Sequence, residues 1–223
     1  MSLWASVFLT LKLAGMTTAI LLVVATPIAW WLAGTRARIR PAIEALTALP
    51  LVLPPTVLGF YMLILMSPDS PLGGFWVRLT GEALTFSFSG LVVASIFYSL
   101  PFAVQPLQTA FQSVGTGMME AAATLGASRW DAFRTVALPL ARRGVLSAVV
   151  LSFAHTVGEF GVVLMVGGNI PGRTRVISIE IYRAVETLDY ATAHLLSGGL
   201  LVFSFVVLTL FYLINRRGVQ TRV

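Results

Sequence analysis

Cysteine is absent from the 223-residue chain, lysine occurs once, and charged residues make up only 11% of it. The first absence excludes disulfides, thiolate metal sites and cysteine nucleophiles, and says nothing about compartment. The second excludes a phosphate loop of the G-x-x-x-x-G-K-[ST] kind, because Lys12 has no such surroundings. Any ATP used by the protein must therefore be hydrolysed elsewhere. The third is decisive for solvent: a soluble domain carries about 25% charged residues, so water is not the main medium of this chain. Hydrophobic residues fill the difference, at 57%, with a mean hydropathy of +0.88. A net charge of +6 would on a soluble protein suggest nucleic-acid binding. Here the basic residues punctuate apolar runs instead of forming a patch, and no nucleic-acid partner is expected.

Crossing a hydrocarbon core of about 30 Å takes about 20 apolar residues as helix, since unpaired backbone groups are too costly in lipid. Lys12 to Arg36 encloses 23 uncharged residues, Glu44 to Asp69 encloses 24, and Glu82 to Glu120 encloses 37. Arg143 to Arg173 encloses 29, of which only Glu159 is charged, and Asp189 to Arg216 encloses 26. The expectation is an all-α integral membrane protein of one domain, with five spans near 13–34, 46–66, 88–109, 141–165 and 193–214. The first run is too long for a signal-peptide core and reads as a retained span.

Five spans put the termini on opposite sides. The 35–45 loop, the 110–143 loop and the C-terminal tail carry 10 Lys/Arg against three acids, whereas the other side carries five against six. The positive-inside rule places the N-terminus outside and the C-terminus in the cytoplasm, together with the 110–143 loop.

Pro50, Pro54 and Pro55 predict a second span bent or broken near Leu53–Thr56. Irregular backbone at that depth must be buried in protein or line water, which makes Pro54, Pro55 and Thr56 candidates for the translocation path, with a filled kink as the alternative. Glu159 falls near the outer end of the fourth span, either as a functional group or as a carboxylate in contact with interfacial water. Thr156, Gly158 and Gly161 beside it permit close helix approach, which suits a gate. His155, one turn away, could be drawn into a metal or acid–base site with Glu159, but no further ligand accompanies it at suitable spacing. It reads better as a polar packing residue. Trp30, Trp31, Phe60 and Tyr61 suit interfacial anchoring or packing equally. Within the 166–192 segment, Gly167-Gly168-Asn169 and Pro171-Gly172 mark a turn, and Val176–Tyr182 suits a short helix.

The 116–139 loop is more specific. Glu120–Leu125 favours helix, Gly126 can take positive φ and end it, and Ser128 with Asp131 starts a second short helix over about 129–137. Pro139 then suits the first turn of the fourth span. On the second short helix Arg129, Trp130 and Phe133 cluster, either as a docking anchor or packed against their own chain.

Glu120-Ala121-Ala122, Gly126, Val136, Leu138 and Pro139 match, with Val136 in place of isoleucine, the pattern E-A-A-x3-G-x9-I-x-L-P. In this the chain resembles the permeases of bacterial ABC importers. Leu49–Tyr61, Gly158–Gly161 and Gly168–Thr174 are similar to the molybdate permeases in particular, and the likeness covers nearly the whole chain. The resemblance implies a type I ABC importer permease fold in a bacterial or archaeal cytoplasmic (inner) membrane. It implies no catalytic residue, metal or cofactor in this chain, with ATP and Mg on the partner. It further implies a homodimer of permeases in the lipid, two ATP-binding subunits docked on the 116–139 coupling loop, and an external (periplasmic) molybdate-binding protein. Sulfate/thiosulfate and tungstate permeases remain alternatives, with a membrane enzyme or ATP-independent channel further off.

Overall fold

The computed structural model describes residues 3–216, and every regular element among them is helical. Helix α1 (Leu3–Gly34) is followed by α2 (Arg40–Ala48), which tightens into a 3₁₀ turn over Leu49–Leu51, and then by α3 (Pro55–Met66) and α4 (Pro71–Thr80). Helix α5 (Phe88–Val114) leads into α6 (Thr116–Thr124), α7 (Arg129–Ala132), a π turn over Phe133–Ala137, and α8 (Leu138–Leu140). Helices α9 (Arg142–Gly158), α10 (Gly161–Gly167), α11 (Ile177–Glu186) and α12 (Tyr190–Arg216) complete the chain.

The centre is a three-helix unit in which α1, α5 and α9 pack on one another. Its seam is rich in small side chains: Ala25, Ala29, Ala103 and Ala148 are buried among Leu21, Leu32 and Leu107. Small residues let helices approach closely where lipid offers no hydrophobic driving force. Pro101 and Pro106 lie inside α5 without ending it. Neighbouring helices tolerate prolines in such an apolar setting. The start of α5 is fixed by Ser87, whose Oγ accepts from the Gly90 N–H at 3.1 Å.

Among the described residues three helices are by themselves long and apolar enough to cross a membrane: Leu3–Gly34, Phe88–Val114 and Tyr190–Asn215. The expected second span is broken where the prolines placed the break. Arg40–Leu51 and Pro55–Met66 meet at 108°, with Pro54 extended between them at ψ 136°. The fourth differs from the expectation of one helix over 141–165. It stops at Gly158, Glu159 is extended (φ −67°, ψ 133°), and α10 restarts at Gly161. No proline signals that interruption, beyond which α10 packs on α3 and α5.

Pro139 is likewise not in the first turn of the fourth span. It lies in α8, and the Arg129–Leu140 unit meets Arg142–Gly158 at 70°. Helix α4 was unmarked in the sequence; Ser70 starts it by accepting from the Gly73 N–H at 2.9 Å. Helix α11 extends the expected short helix to Glu186. Helix α12 packs on α11 and α9 and leaves most of its apolar surface uncovered.

Candidate functional site: the polar elbow and the paired helix breaks

The elbow is built by local chemistry. Glu120, Ala121 and Ala122 lie in α6, which closes as the Gly126 N–H donates to the Ala123 carbonyl at 3.0 Å and the Ala127 N–H to the Ala122 carbonyl at 3.1 Å. That closure holds Gly126 at φ +84°, in the left-handed region that side chains disfavour. Ser128 then caps α7: its Oγ accepts from the Asp131 N–H at 3.1 Å and donates to the Asp131 carboxylate. Glycine stop and serine start lie two residues apart, so α6 and α7 form a tight hairpin.

The elbow is rooted in the bundle. Ala137 and Ala141 belong to the α1–α5–α9 core, and Val136 is half-buried beside them. Phe133 inserts between Trp30 of α1 at 5.2 Å and Phe111 of α5 at 5.9 Å. Phe133, expected to dock a partner, therefore holds the elbow onto its own helices. Trp30 is correspondingly a packing residue. Trp130 points away: it is 63% exposed and stacks on Phe133 at 5.5 Å, with the Arg134 guanidinium 5.8 Å from its ring. Arg129, Glu120, Leu138 and Pro139 are also exposed. Leu125 at the tip is 88% exposed, although its sequence position beside Gly126 marked it only as the end of a helix. A large aliphatic and a tryptophan exposed together on this hairpin form an apolar contact surface.

The second feature is the meeting of the two breaks. Pro55 begins α3, Gly161 begins α10, and the two are in van der Waals contact. Pro54 and Thr56 remain exposed beside that junction. Thr156 is not open to it. It is buried, its Oγ1 donates to the Ser152 carbonyl at 2.9 Å, and it lies 3.0 Å from Ser99 Oγ. Ser99 also meets His155 Nδ1 at 2.8 Å, and Phe102 stacks on the imidazole at 4.0 Å. His155 is thus a packed polar residue, as its spacing suggested.

Glu159 is buried in its own chain, 3% exposed, and among the described residues neither carboxylate oxygen has a hydrogen-bond partner. Ser95 and Tyr98 of α5 are among the polar groups near it. Its backbone carbonyl accepts from Ser178 Oγ at 2.6 Å, tying the break to α11. Among the described residues no group of three or more His, Asp or Glu could hold a metal ion.

A third cluster escaped sequence reading. Glu180, on α11, accepts from Arg183 Nη2 at 2.6 Å and Nε at 3.1 Å and lies 3.4 Å from Arg175 Nη1. The Arg183 guanidinium, assisted by Arg175, holds the Glu180 carboxyl below the usual carboxylate range despite its burial. The i, i+3 spacing of Glu180 and Arg183 was a usable signal; the loop residue Arg175 was not.

This geometry defines a helical membrane component with a rigid contact hairpin at one end. The family described as "Binding-protein-dependent transport system inner membrane component" matches residues 25–219, and the chain belongs to it. The chain is 59% identical over 208 residues to the "Molybdenum transport system permease protein ModB" of Azotobacter vinelandii, covering 93% of this chain and 92% of that one. It is 34% identical to the protein of that name in Escherichia coli K12, over 82% and 80% of the two chains. It is 35% identical to the "Sulfate transport system permease protein CysT" of the same strain, over 81% and 65%. In fold it is similar to a chain of a bacterial ABC transporter involved in alginate import, with a TM-score of 0.76 at 18% identity over 97% of this chain and 80% of that one.

Proposed function

We propose that the chain is the membrane-spanning permease subunit of an ABC importer that carries molybdate into the cell, driven by ATP hydrolysis on a separate subunit. In this reading it is a single domain with five crossings: α1, the broken α2–α3 pair, α5, the broken α9–α10 pair and α12. The N-terminus lies outside and the elbow in the cytoplasm, in keeping with the 10 Lys/Arg on that side against five on the other.

The elbow is the coupling part. Glu120, Ala121, Ala122 and Gly126 shape the hairpin, Val136, Leu138 and Pro139 join it to α9, and Arg129 with Trp130 meets the ATPase. Phe133 transmits displacement by its packing on Trp30 and Phe111. Two permeases and two ATPase subunits make the pump, because one five-span chain could hardly enclose a polar route by itself. An external molybdate-binding protein delivers the cargo. The junction of Pro54, Pro55 and Thr56 with the Glu159 break is where the path opens and closes, with Thr156 packed behind it.

The observation that carries molybdate is the 59% identity to the Azotobacter relative. At 34% and 35% the E. coli molybdenum and sulfate relatives do not by themselves separate the two cargoes; the higher match does. ATP-driven uptake by the permease reconstituted with its ATPase and binding protein tests this. Molybdate uptake that excess sulfate leaves unchanged is expected; uptake of sulfate alone overturns the molybdate assignment.

A further inference from the structure

Two cavities lie at successive depths along the seam of α1 and α11. The shallower, of about 200 Å³, is polar and is lined by Leu3, Ser6 and Gly172 with Arg175, Glu180 and Arg183. The deeper, of about 240 Å³, is an apolar groove between α1 and α12, lined by Val7, Leu11, Ile177, Leu196, Gly199 and Phe203. Ser6 and Thr10 are one turn apart on α1, as are Ile177 and Glu180 on α11, and each pair places one residue in each cavity. The Ile177 N–H donates to Thr10 Oγ1 at 2.8 Å, which fixes α11 against α1 at this level.

The charge pattern selects the occupant. Of the charged residues that line the polar cavity, two are guanidiniums and one is a carboxylate, with Asp189 acting on Arg183 from outside the lining. Glu180 orients Arg175 and Arg183 through bonds of 2.6 to 3.4 Å and prevents their spreading apart. Asn169 Oδ1 steadies Arg175 Nε at 2.5 Å. Arginine is suited to phosphate oxygens because its planar fork presents several donors at once. The next level along α1 is the apolar groove, in a chain read as lying in lipid.

We propose that these two cavities form one site for an anionic phospholipid, its phosphate against Arg175 and Arg183 and an acyl chain in the α1–α12 groove. The inference rests on the membrane-spanning reading and is independent of the cargo. The lipid would fill the gap that α12 leaves by packing on α11 and α9, and would hold that otherwise exposed helix to the bundle.

Native mass spectrometry of the intact permease–ATPase complex, extracted in mild detergent from vesicles of phosphatidylglycerol and phosphatidylethanolamine, tests this. The expected result is one phosphatidylglycerol retained per permease chain. Gly199→Leu fills the groove without crowding its own chain, since a Cβ there meets nothing within 4 Å; it should abolish retention of either lipid. Arg175→Gln leaves Glu180 paired with Arg183 and should cut the preference for phosphatidylglycerol about tenfold, the loss of one charged contact worth about 1.4 kcal/mol. Equal retention in both variants, or no headgroup preference in the wild type, overturns the proposal. Displacement of the lipid by inorganic phosphate would reassign the arginines to a free oxyanion. Loss of the second permease copy in Gly199→Leu would make the groove a dimer contact. Each of these also overturns it. Failed molybdate uptake with lipid retention intact would count against the cargo alone.

Discussion

Gly161 and Pro55, 106 positions apart in sequence, are so close that a Cβ built on Gly161 would stand 2.7 Å from the Pro55 Cβ. The two breaks are therefore seated on each other, and the start of α10 cannot move without α3. Gly161→Ala should lower the stability of the purified complex by about 1–3 kcal/mol, the usual cost of overpacking. Thermal unfolding in detergent measures it. Unchanged stability would mean that the breaks slide freely.

The elbow makes a different demand. Gly126 has φ +84°, whereas proline is confined near −65°. Gly126→Pro should disrupt the α6–α7 hairpin and uncouple transport while the membrane bundle stays folded. Glu120→Ala should uncouple without that distortion, since the Glu120 side chain is exposed. Normal ATP-driven uptake in both variants would defeat the coupling role.

Trp130 and Phe133 stack on each other but face opposite duties. Trp130→Ala should weaken binding of the ATPase by about 2 kcal/mol, roughly thirtyfold, as loss of an interfacial tryptophan anchor does, with little change in permease melting. Phe133→Ala should show the reverse order, destabilising the permease itself by about 3 kcal/mol through the gap left between Trp30 and Phe111. Affinity measured with the ATPase immobilised, alongside melting curves, separates the two. Matching effects in both assays would contradict the division.

Glu180 gives a pH signature. Its carboxyl is held below the ordinary value, chiefly by the bond from Arg183. A lowered folded-state value adds stability above the unfolded value of about 4.3, and that stability is lost as pH falls through the lowered one. The wild type should outlast Glu180→Gln at pH 6 to 8, and the gap between their melting temperatures should narrow progressively as pH falls below about 4.3. A gap independent of pH would remove the ion pair as its cause.

Composition and spacing alone marked the chain as helical and apolar enough for a membrane, with a bend or break near Leu53–Thr56 and a helix, turn and second short helix around Gly126 and Ser128. These are local facts. Proline geometry, glycine φ and serine capping act within a few residues, and lipid demands long apolar runs whatever their neighbours. Tertiary structure decided which aromatic of the elbow turns inward, because Trp130 and Phe133 share a face until Trp30 and Phe111 cover one of them. It decided also that the helix beginning at Arg142 is interrupted at Glu159, beyond which α10 packs on α3. The Arg175–Glu180–Arg183 cluster has the same origin: a loop folds its arginine back onto a helix. In each case the deciding partner comes from another segment, and spacing along one helix does not say what it will meet.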